Sequence, residues 1–150
     1  MNIVIFGPPG AGKGTQSKYI VNKFKLFQLS TGEFLRQEIK NKSELGLKIT
    51  STVNSGSLVS DEIASKLIEN IVSKKKYKSR IIFDGYPRNI EQAKNLETLL
   101  NKHDQKIDLV LNLSVSLDTI KKRISGRSTC SICGKIYNEF FNPAPINANC

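Results

Sequence analysis

Apolar residues fall in short blocks along this chain, and their spacing changes from block to block. Ile3-Val4-Ile5-Phe6 is a continuous apolar run bounded by Gly7-Pro8-Pro9-Gly10, which reads as a buried strand. Tyr19, Ile20 and Phe24 follow at helical spacing and predict a first helix from about Lys13 to about Phe24. Phe27-Gln28-Leu29 is a short strand candidate. Ser30-Thr31-Gly32-Glu33 has capping-box spacing: the Ser30 hydroxyl accepts from the N–H of Glu33, whose carboxylate reaches back. Phe34, Leu35 and Ile39 supply the apolar face of the helix so started. Leu45, Leu47, Ile49 and Val53 predict another short helix, ended by Asn54-Ser55-Gly56. Ser60 is placed to cap the next one, with Asp61 and Glu62 complementing its dipole and Ile63, Leu67, Ile68, Ile71 and Val72 as its buried stripe.

Arg80 to Asp84 reads as a buried strand ending in a carboxylate, and Ile90, Ala93, Leu96 and Leu100 mark the helix after it. Leu109 to Leu113 is a further strand, followed by a basic helix from Asp118 to Ile124. Strands alternating with helices predict an α/β fold, a parallel sheet covered by helices on both faces. From Ser128 the pattern gives way to a cysteine-bearing tail rich in Asn and Pro.

Composition adds three constraints. A length of 150 residues suits one domain with small inserted subdomains, and no apolar run approaches membrane-spanning length, so no membrane partner is expected. Met1-Asn2-Ile3 enters the first strand directly and leaves no room for a signal peptide, which makes the cytoplasm the expected location. Three cysteines in a reducing compartment point to metal or thiol chemistry rather than a disulfide framework. The net charge of +10 invites a nucleic-acid reading, but lysine runs such as Lys74-Lys75-Lys76-Tyr77-Lys78 fall on a predicted connection, where a solvated loop accounts for them. No aromatic ladder accompanies the lysines, so nucleic acid is not expected as a partner. His103 sits among polar residues and is assigned no role.

The candidate chemistry begins in the turn after the first strand. In Gly7-Pro8-Pro9-Gly10-Ala11-Gly12-Lys13-Gly14-Thr15, glycines let backbone N–H groups close around phosphate oxygens. The following helix points its positive end at the same anion, and Lys13 can reach the outer phosphates. Gly14 stands where a hydroxyl ligand of magnesium usually follows the lysine, and Thr15 is the nearest hydroxyl. Asp84, closing its strand, is placed to hold Mg2+ directly or through water. Asp84-Gly85-Tyr86-Pro87-Arg88, with Gln92 one turn further, brings an arginine out of the carboxyl end of a strand, where α/β proteins bind ligands. Arg36 lies one turn into the capped helix, and Arg123 and Arg127 are spaced for one helix face if that helix extends far enough. Several fixed guanidinium groups on a phosphate crevice fit phosphoryl transfer.

Four stretches together resemble the adenylate kinase family: Gly7 to Gln16, Leu29 to Arg36, Gly56-Ser57-Leu58-Val59, and Asp84 to Arg88. The resemblance runs in order over the whole chain and accounts for Gly14, which the family carries after its lysine. It implies a P-loop NTPase core over residues 1–150, a helical AMP-binding insert at 30–59 and the first part of a zinc lid at 126–150. The implied reaction is reversible transfer of the ATP γ-phosphoryl to AMP with Mg2+, giving two ADP, by a monomer. Carried over residue by residue, Gly10, Ala11, Gly12, Lys13, Gly14 and Thr15 would hold the ATP phosphates. Thr31, Arg36, the backbone of Ser57, Leu58 and Val59, Gly85, Tyr86, Pro87, Arg88 and Gln92 would bind AMP. Lys13, Asp84, Arg88, Arg123 and Arg127 would carry catalysis, and Ile136 with Tyr137 would flank the ATP base. Ser57 stands where the family often has lysine or glutamine, with little consequence expected because the backbone makes the contact.

Cys130-x2-Cys133-Gly134 is a usual zinc half-site, since its tight turn aims both thiolates at one ion. A dithiol redox pair is the alternative, but such pairs sit at helix N-termini and none is predicted here. Cys150 is the third candidate ligand. The resemblance implies a structural Zn2+, a fourth ligand shortly after Cys150, then the rest of the lid and a final strand and helix, so the chain is expected to lack roughly the last third. A UMP/CMP kinase of the same superfamily is the nearest rival; Thr31 favours adenine, because pyrimidine kinases tend to carry Ala there. A basic zinc module binding nucleic acid would use the charge and the cysteines but leaves Gly7 to Thr15 and Arg88 unexplained.

Overall fold

The structure, a computed structural model, describes residues 1–54 and 59–145. In chain order the elements are β1 (Ile3–Phe6), α1 (Lys13–Phe24), β2 (Phe27–Ser30), α2 (Thr31–Lys40), α3 (Glu44–Asn54) and α4 (Asp61–Val72). A 3₁₀ turn (Lys75–Tyr77) leads to β3 (Ile81–Asp84), α5 (Ile90–Lys102), β4 (Leu109–Asn112), α6 (Leu117–Ser125), β5 (Arg127–Thr129) and β6 (Ile136–Asn138). The chain divides into two compact units, one formed by Met1–Phe6 with Gly14–Asn112 and the other by Gly7–Lys13 with Leu113–Cys150.

In the first unit four parallel strands pair in the order β2-β3-β1-β4. Each parallel connection runs through at least one helix, as parallel pairing requires. The two central strands carry the core: Ile3, Val4, Ile5, Ile81, Ile82 and Phe83 are all buried. Of these, Val4, Ile81 and Phe83 pack with Leu29, Ile68, Ile71, Val72, Leu96 and Leu100 into one apolar cluster. A smaller cluster of Leu35, Ile49 and Val59 joins α2 and α3 to the start of α4. The edge strand β4 differs: Leu109 and Val110 remain 43% and 55% exposed, although their run reads as apolar as that of β3.

Several local expectations hold and others need correction. Ser30 caps α2, its Oγ accepting from the Glu33 N–H at 3.4 Å. Ser60 stands at the cap of α4 but makes no side-chain cap bond, leaving Asp61 and Glu62 as the complement to that helix end. The buried stripe of α5 is Gln92, Leu96, Leu99 and Leu100, whereas Ile90 is 73% exposed and Ala93 also faces solvent. A polar residue has therefore taken a core position. Caps on α3 and α6 went unread in the sequence: the Ser43 Oγ accepts from the Gly46 N–H at 2.9 Å, and the Ser116 Oγ from the Thr119 N–H at 3.4 Å.

In the second unit α6 runs to Ser125 and is capped by Gly126, too short to put Arg123 and Arg127 on a common helix face. Arg127 instead opens β5, which pairs antiparallel with β6 and places Arg127 opposite Asn138. The cysteine-bearing tail, for which the sequence reading named no element, thus contains a hairpin. Asn138 ties it to α6: its Nδ2 donates to the carbonyls of Lys122 and Arg123 at 3.3 and 3.1 Å, satisfying acceptors that the helix end leaves open.

One polar cluster at the amino ends of the strands holds the first unit together. Gln105, 5% exposed, accepts at Oε1 from the Asn2 amide (3.3 Å) and the Ser79 N–H (2.7 Å), and donates from Nε2 to the Val72 carbonyl (3.0 Å). Fully buried Asn2 in turn accepts from the Ile81 N–H and donates to the Lys106 carbonyl. Removing Gln105 strands several buried partners, so Gln105→Leu should cost about 2–3 kcal/mol of unfolding free energy in urea titrations. A loss below about 0.5 kcal/mol would show that water satisfies these groups instead.

Candidate functional site

The turn from β1 to α1 is built from inside the second unit by two cations. The Lys13 Nζ donates to the carbonyls of Gly7 (2.8 Å) and Pro8 (3.1 Å). The Arg123 Nη1, from α6, donates to the carbonyls of Gly10 (3.3 Å) and Ala11 (2.9 Å). Four carbonyls of one short loop are thus turned toward positive side chains. The Ala11 N–H also donates to the Pro8 carbonyl at 3.1 Å, so the loop is tied to itself as well as to the two cations. Gly10 and Gly12 make the path possible with φ of +81° and +95°. A Cβ on Gly10 would also stand 3.1 Å from the Ile124 side chain.

Past Lys13 the loop enters α1, where Gly14 and Thr15 belong to the first unit. Gly14 has no special dihedral, and a Cβ there would meet only the Asp84 Oδ2, at 3.9 Å. Asp84 is therefore beside the first turn of α1, and it is buried, 9% exposed. Its Oδ2 accepts from the Gln28 Nε2 at 3.0 Å, a partner on the neighbouring strand β2 that the sequence reading passed over. Its Oδ1 takes no hydrogen bond from the described residues.

The second set of predicted residues gathers at the carboxyl ends of β2 and β3. The Thr31 Oγ1 donates to the Gly85 carbonyl at 3.0 Å, joining the start of α2 to the turn after β3. The Arg88 Nε donates to the same carbonyl at 2.8 Å, and the Arg88 N–H to the Gln92 Oε1 at 2.8 Å. Gly85 is the close-approach point of this set, since a Cβ would lie 3.3 Å from Thr31 and 3.4 Å from the Arg88 guanidinium. Arg36 folds over Gly32 on α2. Tyr86 and Pro87 are buried and joined by a cis peptide. Burial raises the Tyr86 phenol pKa, the Asn95 amide opposes that and the Asp61 carboxylate adds to it; the Oη makes no hydrogen bond of ordinary geometry. Val59 is buried, while Ser57 and Leu58 lie outside the described residues.

Charge is the common property of both sets. Among the described residues, every ion pair involves a lysine or the amino terminus at the surface, and none involves Lys13, Arg36, Arg88, Arg123 or Arg127. Lys13, Arg88 and Arg123 are held by carbonyls, which orient a cation without neutralising it. Such groups remain available to a polyanion.

The rest of the second unit shows part of what was expected. Arg127 is exposed, and Ile136 and Tyr137 lie on β6, with the Lys135 Nζ 5.4 Å from the Tyr137 ring centre. Cys130 is half-buried and Cys133 exposed, in a tight turn closed by the Gly134 N–H on the Cys130 carbonyl (3.0 Å) and the Cys130 N–H on the Lys135 carbonyl (2.9 Å). No group of three or more metal-ligating side chains occurs among the described residues, and Cys150 lies outside them. No helix among them is long and apolar enough to cross a membrane.

The family model described as adenylate kinase matches residues 5–144. An adenylate kinase of Pelagibacter ubique is 54% identical over 146 residues, covering 97% of this chain and 68% of the relative. One from Listeria monocytogenes serotype 4b is 40% identical over all 150 residues and 70% of its own length, and one from Methanothrix thermoacetophila 43% identical over 150 residues and 69% of its length.

Gly10 and Gly14, one on each side of Lys13, should respond oppositely to a methyl group. Gly10→Ala forces an L-residue into the left-handed region against Ile124 and should cost about 1–2 kcal/mol of stability. Gly14→Ala sits in a helical turn with room for Cβ and should leave stability unchanged or raise it by up to about 1 kcal/mol. Paired urea titrations check this, and equal losses at both positions would contradict the backbone account.

Proposed function

The chain belongs to the adenylate kinase family, and from that premise we propose how its residues divide the family's reaction. The enzyme is a nucleoside monophosphate kinase: the γ-phosphoryl group of ATP passes to AMP and two ADP result. Gly10, Ala11, Gly12, Lys13, Gly14 and Thr15 hold the ATP phosphates, with Lys13 exchanging the Gly7 and Pro8 carbonyls for phosphate oxygens. Arg123 fixes the loop from α6 and, with Arg127 and Arg88, meets the charge that develops on the transferring group. Ile136 and Tyr137 flank the ATP base. AMP takes Thr31, Arg36, the backbone of Ser57, Leu58 and Val59, Gly85 to Arg88, and Gln92.

The family uses Mg2+ with ATP, and the cation neutralises phosphate oxygens and fixes their geometry when bound. Asp84 suits a hard cation, with one carboxylate oxygen held by Gln28 and the other open to a metal-bound water. We assign a structural Zn2+ to Cys130, Cys133 and Cys150, on the strength of the turn that closes between Cys130 and Gly134. By the same reading the domain is a P-loop kinase core with an AMP-binding insert at 30–59 and lid sequence from 126, acting as a monomer in the cytoplasm. Adenine is preferred over pyrimidine at the monophosphate site, Thr31 being the residue concerned.

The observation that carries this assignment is the loop whose carbonyls are turned onto Lys13 and Arg123. Lys13 packs in no core, so Lys13→Met should lower kcat about 100- to 1,000-fold while the thermal midpoint stays within a few degrees. Near-normal turnover by a folded Lys13→Met protein would refute it. A panel of AMP, UMP, CMP and GMP as acceptors tests the base preference.

For zinc, Cys130→Ser with Cys133→Ser should abolish bound metal and lower the melting temperature by more than about 5 °C, with kcat changed far less. Unchanged melting with lost chemistry would reverse the structural assignment.

A further inference from the structure

Gln92 is an unusual core residue: it is 4% exposed, lies on the stripe that otherwise holds leucines, and has both ends of its amide engaged. Its Oε1 accepts from the Arg88 N–H at 2.8 Å, and its Nε2 donates to the Asp61 Oδ1 at 2.6 Å. Asp61, the first residue of α4, also accepts at Oδ2 from the Asn89 Nδ2 at 3.5 Å. Asn89 in turn caps α5, its Oδ1 accepting from the Gln92 N–H at 2.7 Å. The ring of contacts is closed and links the starts of two helices.

The chemistry of these partners is one-sided. A carboxylate can only accept and a backbone N–H can only donate, so the amide of Gln92 has a single satisfactory orientation. Rotating it by half a turn would set its oxygen against Asp61 and its NH2 against the Arg88 N–H. What remains unspent is one N–H and one lone pair, in fixed positions. A neutral donor beside an acceptor matches the edge of a heteroaromatic base, not a phosphate.

We infer that Asp61 is a positioning residue for recognition of the monophosphate nucleotide: it fixes the orientation of the Gln92 amide and, through it, which base edge the site accepts. The inference rests on the reading of Gln92 as an AMP contact. Asp61 is itself exposed at the start of α4, and its carboxylate meets Gln92 and Asn89, of which Gln92 is the one read as a nucleotide contact. A helix-start aspartate with no further role would affect stability alone.

The test uses the full chain with Asp61→Leu, Asp61→Asn and Gln92→Leu, measuring KM for AMP and for ATP, kcat, and the AMP-to-IMP preference. IMP carries a carbonyl where AMP carries an amino group, so it reads the amide's orientation directly. Asp61→Leu should raise KM for AMP about five- to tenfold, compress the AMP-to-IMP ratio, and leave KM for ATP within twofold. Asp61→Asn keeps a carbonyl acceptor for the Gln92 Nε2 and should recover most of the preference. Asp61→Leu with a lowered melting temperature but unchanged AMP-to-IMP ratio would overturn the inference. If Gln92→Leu also leaves AMP binding untouched, the fault lies in the assignment of Gln92, and the two failures are thereby told apart.

Discussion

The direction of a few peptide groups governs this molecule. A loop of six or seven residues binds a polyphosphate only if its N–H groups face inward together, and an unsupported loop has no reason to hold them so. In this chain Lys13 and Arg123 take the carbonyls of Gly7, Pro8, Gly10 and Ala11 and so hold the loop's peptide groups. The glycines permit the dihedrals that the loop adopts. A loop already ordered by such contacts loses less binding free energy to ordering itself, although Lys13 would still have to change partners.

The same logic appears with neutral amides. Gln105 and Asn2 at one end of the strands, and Gln92 near the other, are buried side chains that complete backbone groups which secondary structure leaves open. Each brings together segments far apart in the chain. Buried amides therefore do for the turns what apolar side chains do for the strands, and they do it with orientation as well as proximity.

Periodicity made the strands and most helices legible because burial imposes it: Ile81 to Phe83 and the stripe from Leu67 to Val72 read as they fold. The phosphate loop was legible for a different reason, since glycine, lysine and the strand–helix frame are each required by its geometry. What could not be read was long-range pairing of short polar side chains. Nothing local marks Gln92 rather than Ile90 as the buried residue of α5, or Gln28 as the partner of Asp84. The hairpin of β5 and β6 escaped for a related reason, its strands being three residues each and exposed enough to lack alternation. The end of α6 at Gly126 was a matter of one glycine, and it moved Arg127 from a helix face to a strand.

The cations of this chain are held in two different ways. Surface lysines find carboxylates where the chain offers them, as Lys48 does with Glu44 and Lys102 with Glu69, and both glutamates are held below their ordinary pKa by these lysines. The cations assigned to phosphate are treated in the opposite way. Lys13, Arg88 and Arg123 rest on carbonyls, and none of them has a carboxylate partner among the described residues. A carboxylate would orient these groups as well, but a nucleotide would then have to displace it at the cost of a charge-assisted bond. A carbonyl gives the orientation and is released more cheaply, leaving the full positive charge for the phosphates. On the proposed reading, part of the net charge of +10 belongs to cations that a substrate's phosphates would pair.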